Sequence, residues 1–91
     1  MKRIYKYNLP IEDYPIVSMP FGAKIISIGE QRGGLMIWAE VDLSKIKEDK
    51  HFVILPTGHA DIPDISLRFI DTVQMKNGLV WHIYEQNWRD K

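Results

Sequence analysis

Short runs mixing apolar and polar residues, separated by Gly, Pro, Asn and Asp, cover most of the chain. Their length and punctuation predict strands rather than helices. The runs span residues 3–8, 15–18, 23–28, 35–41, 51–55, 66–75 and 79–86. Six or seven strands at such spacing predict an all-β fold, a small antiparallel sandwich or a barrel-like sheet. One long polar interruption, residues 42–50, reads as a solvated loop or one short turn. Alternatively, Asp42 caps a helical turn within 42–48, with Leu43 and Ile46 on one side.

The sharpest local signal is Asn77-Gly78 between two strand-like runs. Both residues tolerate the positive φ of a type I′ turn, so a two-residue hairpin loop is expected. That register sets Lys76 against Leu79, Met75 against Val80, Val73 against His82 and Asp71 against Tyr84. One face of the ribbon would then carry Phe69, Val73, Met75, Val80 and Tyr84, and the other Ile70, Thr72, Trp81 and Ile83. Both faces are apolar, whereas a small two-layer protein usually buries one. Self-association or a closed wrap is the expected remedy.

Composition narrows the class. Ninety-one residues, 45% of them hydrophobic and 11% aromatic, predict one globular domain over 1–91. There is no cysteine, hence no disulfide or thiolate chemistry. The N-terminal stretch lacks a signal-peptide apolar region, and no run approaches a transmembrane length. A soluble cytoplasmic protein without a membrane partner is expected. Lys plus Arg and Asp plus Glu number 12 each, so the formal net charge is zero. Phosphate neutralisation needs a basic excess, which argues against nucleic acid as the main partner. Lys2, Arg3 and Lys6 still form a local basic patch.

Candidate chemistry clusters in turns. Thr57-Gly58-His59 offers a hydroxyl, a backbone open to close approach and a nitrogen titrating near neutral pH. It reads either as a polar ligand clamp or as a turn that ties down backbone groups. Gln31-Arg32-Gly33-Gly34 reads as a hairpin turn, or as an anion nest with Arg32 supplying a fork to phosphate. Arg68 begins a strand and reads as a second anion ligand or a solvated edge charge. Trp38 and Trp81 lie in strands, as core or interface residues or as ring-stacking platforms, and Trp88 reads as a docking residue or a lid.

His51, His59 and His82 show no metal-ligand spacing, so neither metal nor cofactor is expected. His82, opposite Val73, reads as a satisfied interior histidine. Glu12-Asp13 and Asp61/Asp64 are explained by turns around Pro15 and Pro63. No serine sits in a nucleophile-elbow context, and the chain is expected not to be an enzyme.

Several segments together resemble a family of small, mostly uncharacterised phage and prophage proteins. They are Lys2-Arg3-Ile4-Tyr5-Lys6-Tyr7, Met19-Pro20-x-Gly22-Ala23-Lys24-Ile25, Ile37-Trp38-Ala39-x-Val41-Asp42, Thr57-Gly58-His59 and Leu79-Val80-Trp81-His82-Ile83-Tyr84-Glu85. The resemblance implies a compact β-rich phage accessory protein working in the host cytoplasm, and transfers no activity. Phage proteins of this size often blunt host defence by sequestering a nucleotide signal or plugging a host protein.

The leading expectation is a non-enzymatic homo-oligomer that binds a small anionic, nucleotide-like ligand at a subunit boundary. Arg32 or Arg68 would meet phosphate, Thr57, Gly58 and His59 would hydrogen-bond, and Trp38 or Trp81 would stack a ring. The alternative is an inhibitor or assembly factor that docks a host or virion protein through an exposed sheet face or edge.

Overall fold

A computed structural model describes residues 1–58 and 61–87. The strand-like runs form β1 (Lys2–Leu9), β2 (Ile16–Pro20), β3 (Lys24–Gln31), β4 (Gly34–Asp42), β5 (Lys47–Pro56), β6 (Leu67–Gln74) and β7 (Val80–Gln86). Two antiparallel sheets result, one of three strands in the order β1-β4-β3 and one of four in the order β2-β5-β7-β6. The fold is all-β, a small sandwich, with no helix among the described residues.

The polar interruption is shorter than its composition predicts, because Lys47 already belongs to β5. Between them, Lys45 N donates to the Asp42 carbonyl (3.1 Å). The Asp42 carboxylate accepts from the Ser44 amide (3.0 Å) and hydroxyl (2.7 Å). An Asp that satisfies amides two residues on makes a tight turn, not a helix.

β4 shows how the core is made. Alternate residues Leu35, Ile37, Ala39 and Val41 are all buried, while Met36, Trp38 and Glu40 face outward. Leu9 of β1 and Ile28 of β3 join them from the flanking strands. From the facing sheet come Val17, Met19, Phe52, Ile54, Val73, Met75 and Ile83. Fully burying one such side chain contributes roughly 1.5–3 kcal/mol. Strict alternation therefore fixes which side of β4 turns inward.

The hairpin turn expected at Gln31–Gly34 is present, whereas the loop at Asn77-Gly78 differs from its expected type. Arg32 (φ 54°) and Gly33 (φ 81°) both lie in the left-handed region and close Gln31 against Gly34, which is the type I′ loop. At Asn77-Gly78 only Gly78 has positive φ, at 93°. Gly78 N donates to the Met75 carbonyl (3.0 Å), and Met75 N to that of Leu79 (2.8 Å). The loop is thus Lys76-Asn77-Gly78, a type I turn closed by a glycine bulge. The Asn77 side-chain oxygen accepts the Leu79 amide (3.0 Å), which supports this loop over the type I′ form.

One extra loop residue shifts every pair. Gln74 faces Val80, Val73 faces Trp81, and Thr72 faces His82. A bulge at Ile70 then places Phe69 against Tyr84. The expected division of faces is therefore overturned. Val73, Met75 and Ile83 are buried together, with Ile70 and Trp81 packed against the same core. Thr72, His82, Tyr84 and Phe69 lie on the outer face. A single chain thus covers Val73, Met75 and Ile83 and packs Ile70 and Trp81 against the core, while Phe69 stays 53% exposed.

Two predictions follow from the turns. Arg32→Asn creates the favoured Asn-Gly pair and relieves a left-handed arginine. Thermal melting should rise by roughly 2–4 °C, corresponding to about 0.5 kcal/mol. The Ser44 bonds hold the Asp42 carboxyl below its ordinary value of 3.8, the side-chain bond first. With the folded value depressed, that contribution is present above the ordinary value and disappears as pH falls through the folded one. Asp42→Asn should therefore lower the melting temperature near neutrality and converge with the parent in strong acid.

Candidate functional site

Pairing brings Leu55, His82 and Thr72 side by side across β5, β7 and β6 on the outer face of the four-stranded sheet. β5 ends at Pro56, which faces Trp81, and the chain turns through Thr57 and Gly58 (φ 77°). That turn carries the Thr57 hydroxyl to 2.7 Å from His82 Nε2. The Thr72 hydroxyl lies 2.9 Å from His82 Nδ1. The Thr72 backbone amide donates to Asp71 Oδ1 (2.8 Å), which supports this end of the row.

Both ring nitrogens of His82 are therefore occupied. A neutral imidazole has one donor and one acceptor, so it accepts from one hydroxyl and donates to the other. Thr57 beside Nε2 has the spacing of a nucleophile and its base. A hydroxyl, not a carboxylate, sits on Nδ1, so the imidazolium of acyl-transfer triads lacks its stabilising charge. Hydrogen-bond donation and acceptance is the chemistry best matched to this row.

Apolar groups frame it. Leu55, Pro56, Gly58, Ile62, Tyr84, Thr57 and His82 line an open cleft of about 210 Å³. Small-molecule pockets run from roughly 300 Å³ upward, so this cleft suits one side chain or a fragment better than a nucleotide. Phe69 meets Tyr84 edge to face, with centroids 5.4 Å apart and planes at 72°. Phe69 remains 53% exposed, and Ile62 61%.

The other candidates scatter. Arg68 donates to Glu85 (2.6 Å), and Lys50 binds the other oxygen of the same carboxylate (3.1 Å). This network lies at the opposite end of β7 from Trp81, so Arg68 and Thr57 do not converge, and Arg68 already pairs with Glu85. Arg32 and Gly33 are exposed in the β3–β4 turn. Glu30, just before it, accepts the Lys76 amide (2.8 Å), which places that turn at the same end of the sandwich as Thr57 and Gly58.

Trp38 stands on the outer face of the three-stranded sheet, half-buried, against β3 at Gly29; a Cβ added there would lie 3.6 Å from its ring. Trp81 packs against the core instead, and its Nε1 is buried without a partner among the described residues. No single site joins the two. His59 and Trp88 lie outside the described residues. Among the described residues no three His, Asp or Glu side chains gather as metal ligands, and no helix is long and apolar enough to cross a membrane.

Sequence reasoning missed Thr72 and misplaced His82, which is satisfied as expected but faces outward. The signal was one residue away, since a three-residue loop at Asn77-Gly78 sets Thr72 opposite His82.

These features define a seven-stranded β-sandwich with a Thr–His–Thr row on one sheet face. The chain belongs to the DUF7352 family, a domain of unknown function whose profile matches residues 1–91. A search of the curated proteins and a search of the solved structures each found no match.

Neutral hydrogen bonds of this kind contribute about 0.5–1.5 kcal/mol each. Thr57→Val and Thr72→Val should each lower unfolding stability by about 1 kcal/mol. In double mutants with His82→Phe the losses should fall well short of additive, because the removed partner is shared. Chemical denaturation of the six proteins checks this.

Proposed function

We propose that the protein is a non-catalytic binding module that docks a partner protein through the outer face of the four-stranded sheet. The observation that carries this reading is the hydrogen-bonded row Thr57–His82–Thr72 set among Leu55, Ile62, Phe69 and Tyr84. Exposed Phe69 and Ile62, with half-buried Leu55 and Tyr84, supply the aromatic and aliphatic anchors on which protein-binding patches rely, and the pre-oriented row beside them adds directional hydrogen bonds. The cleft is small for a metabolite but sufficient for one anchoring side chain. The resemblance to small phage proteins supports a host or virion protein as the partner, and inhibition or assembly as the outcome.

A second reading keeps the nucleotide-like anion and the homo-oligomer. It draws support from Arg32-Gly33 and Thr57-Gly58 sharing one end of the sandwich, where two copies brought end to end would combine their arginines and glycine amides. Arg68 and Trp81 do not contribute to it.

Affinity capture from host lysate, with Phe69→Asp and Arg32→Ala compared alongside the parent, separates the readings. An identified stoichiometric partner, retained by Arg32→Ala and lost at least tenfold with Phe69→Asp, is the expected result. Native mass spectrometry with a nucleotide panel supplies the contrary one: a ligand-bound oligomer abolished by Arg32→Ala and untouched by Phe69→Asp.

A further inference from the structure

The four sheet edges are unequal. β3 is bulged at Ile26 and β6 at Ile70, which bends both and interrupts their outward hydrogen-bonding rows. β2 has five residues and ends at Pro20, which has no N–H to offer. β1 differs from all three. Its eight residues pair with β4 in unbroken register from Lys2↔Asp42 to Leu9↔Leu35. In an antiparallel pair every second residue turns both its N–H and its C=O away from the partner. β1 therefore presents a regular outward row, and among the described residues no backbone hydrogen bond reaches it beyond its pairing with β4.

The side chains along that edge are selective. Lys2, Arg3 and Lys6 sit within it, and the first acidic residue of the chain is Glu12. Lys2 has a long, exposed contact with Glu40 at 3.7 Å. Lys6 is bonded to the neutral Gln31 side chain at 2.5 Å, and no carboxylate pairs with Arg3 or Lys6 among the described residues. By strand parity Arg3 lies on the face shared with Val41, and Lys6 on the face shared with Trp38. Cations thus flank the edge above and below, with Ile4 between them 65% exposed. Lysines on an edge deter pairing with another copy of the same cationic strand. The same charges favour a strand of opposite sign.

We infer that β1 accepts an extended acidic segment of a partner protein as an added strand, extending the three-stranded sheet to four. This rests on the reading of the protein as a partner-docking module and names the partner's chemistry. The added strand supplies main-chain hydrogen bonds for affinity, and its carboxylates, set against Lys2, Arg3 and Lys6, give sign selectivity. The edge and the Phe69 face belong to different sheets, so the two contacts are independently removable.

The test uses the full chain and a synthetic nine-residue peptide of Thr and Val with Glu placed to face Lys2, Arg3 and Lys6. A Lys-for-Glu version and one N-methylated at alternate amides serve as controls. Amide NMR shifts confined to β1, with binding weakened on the order of tenfold by Arg3→Glu with Lys6→Glu and by raised salt, are expected. The Lys and N-methylated peptides should not bind. Both substitutions are at exposed positions, and an unchanged melting curve confirms that the variant folds. Equal binding of the Glu and Lys peptides, shifts at Phe69 and Tyr84 instead of β1, β1-mediated dimerisation, or no binding at all each overturns the inference. A lysate partner still captured through Phe69 in any of those cases leaves the docking module standing without this edge.

Discussion

Exclusion of water from the inward side of β4 is the constraint on which the rest of the molecule depends. Leu35, Ile37, Ala39 and Val41 alternate with residues that face solvent, so a one-residue slip would exchange the two sets entirely. Flanked by β1 and β3, β4 can bury that stripe only against a second sheet. The second sheet answers with Phe52, Ile54 and Ile83 from its two central strands. Among the described residues that second sheet is the apolar layer on which β4 packs, and the two-sheet arrangement follows.

Register is then distributed outward by turns. The type I′ loop at Arg32-Gly33 locks β3 to β4, at the expense of holding an arginine in a left-handed conformation. The glycine-bulge loop at Asn77-Gly78 locks β6 to β7 one residue away from the simpler pairing. That single residue sends Ile83 inward and His82 outward. The Thr57–His82–Thr72 row is a consequence of loop stereochemistry as much as of residue type.

The surface divides into parts with different physical characters. Near Glu85, one carboxylate bridges Lys50 and Arg68 and so ties β5, β6 and β7 together at that end of the four-stranded sheet. The opposite end carries the polar row and an exposed aromatic pair. Trp38 occupies the far sheet, against Gly29. A protein this thin presents most of its chemistry as faces and edges rather than as enclosed cavities, and the proposed docking of another chain draws on that shape.

By itself, the sequence determined that the chain is all-β and where most of its strands lie, because strand propensity and turn punctuation are local, although residues 47–50, read as loop, begin β5. It also placed both hairpin turns, since Gly33 and Gly78 stand where positive φ is needed. The tertiary structure alone decided the loop length at Asn77-Gly78, the bulges at Ile26 and Ile70, and hence the partners of His82. Turn types that differ by one residue have similar local energies, and the choice between them is made by what the whole ribbon must bury. Likewise, nothing local separates Arg68 from Arg32; only the approach of Glu85 from a neighbouring strand gives Arg68 a carboxylate partner.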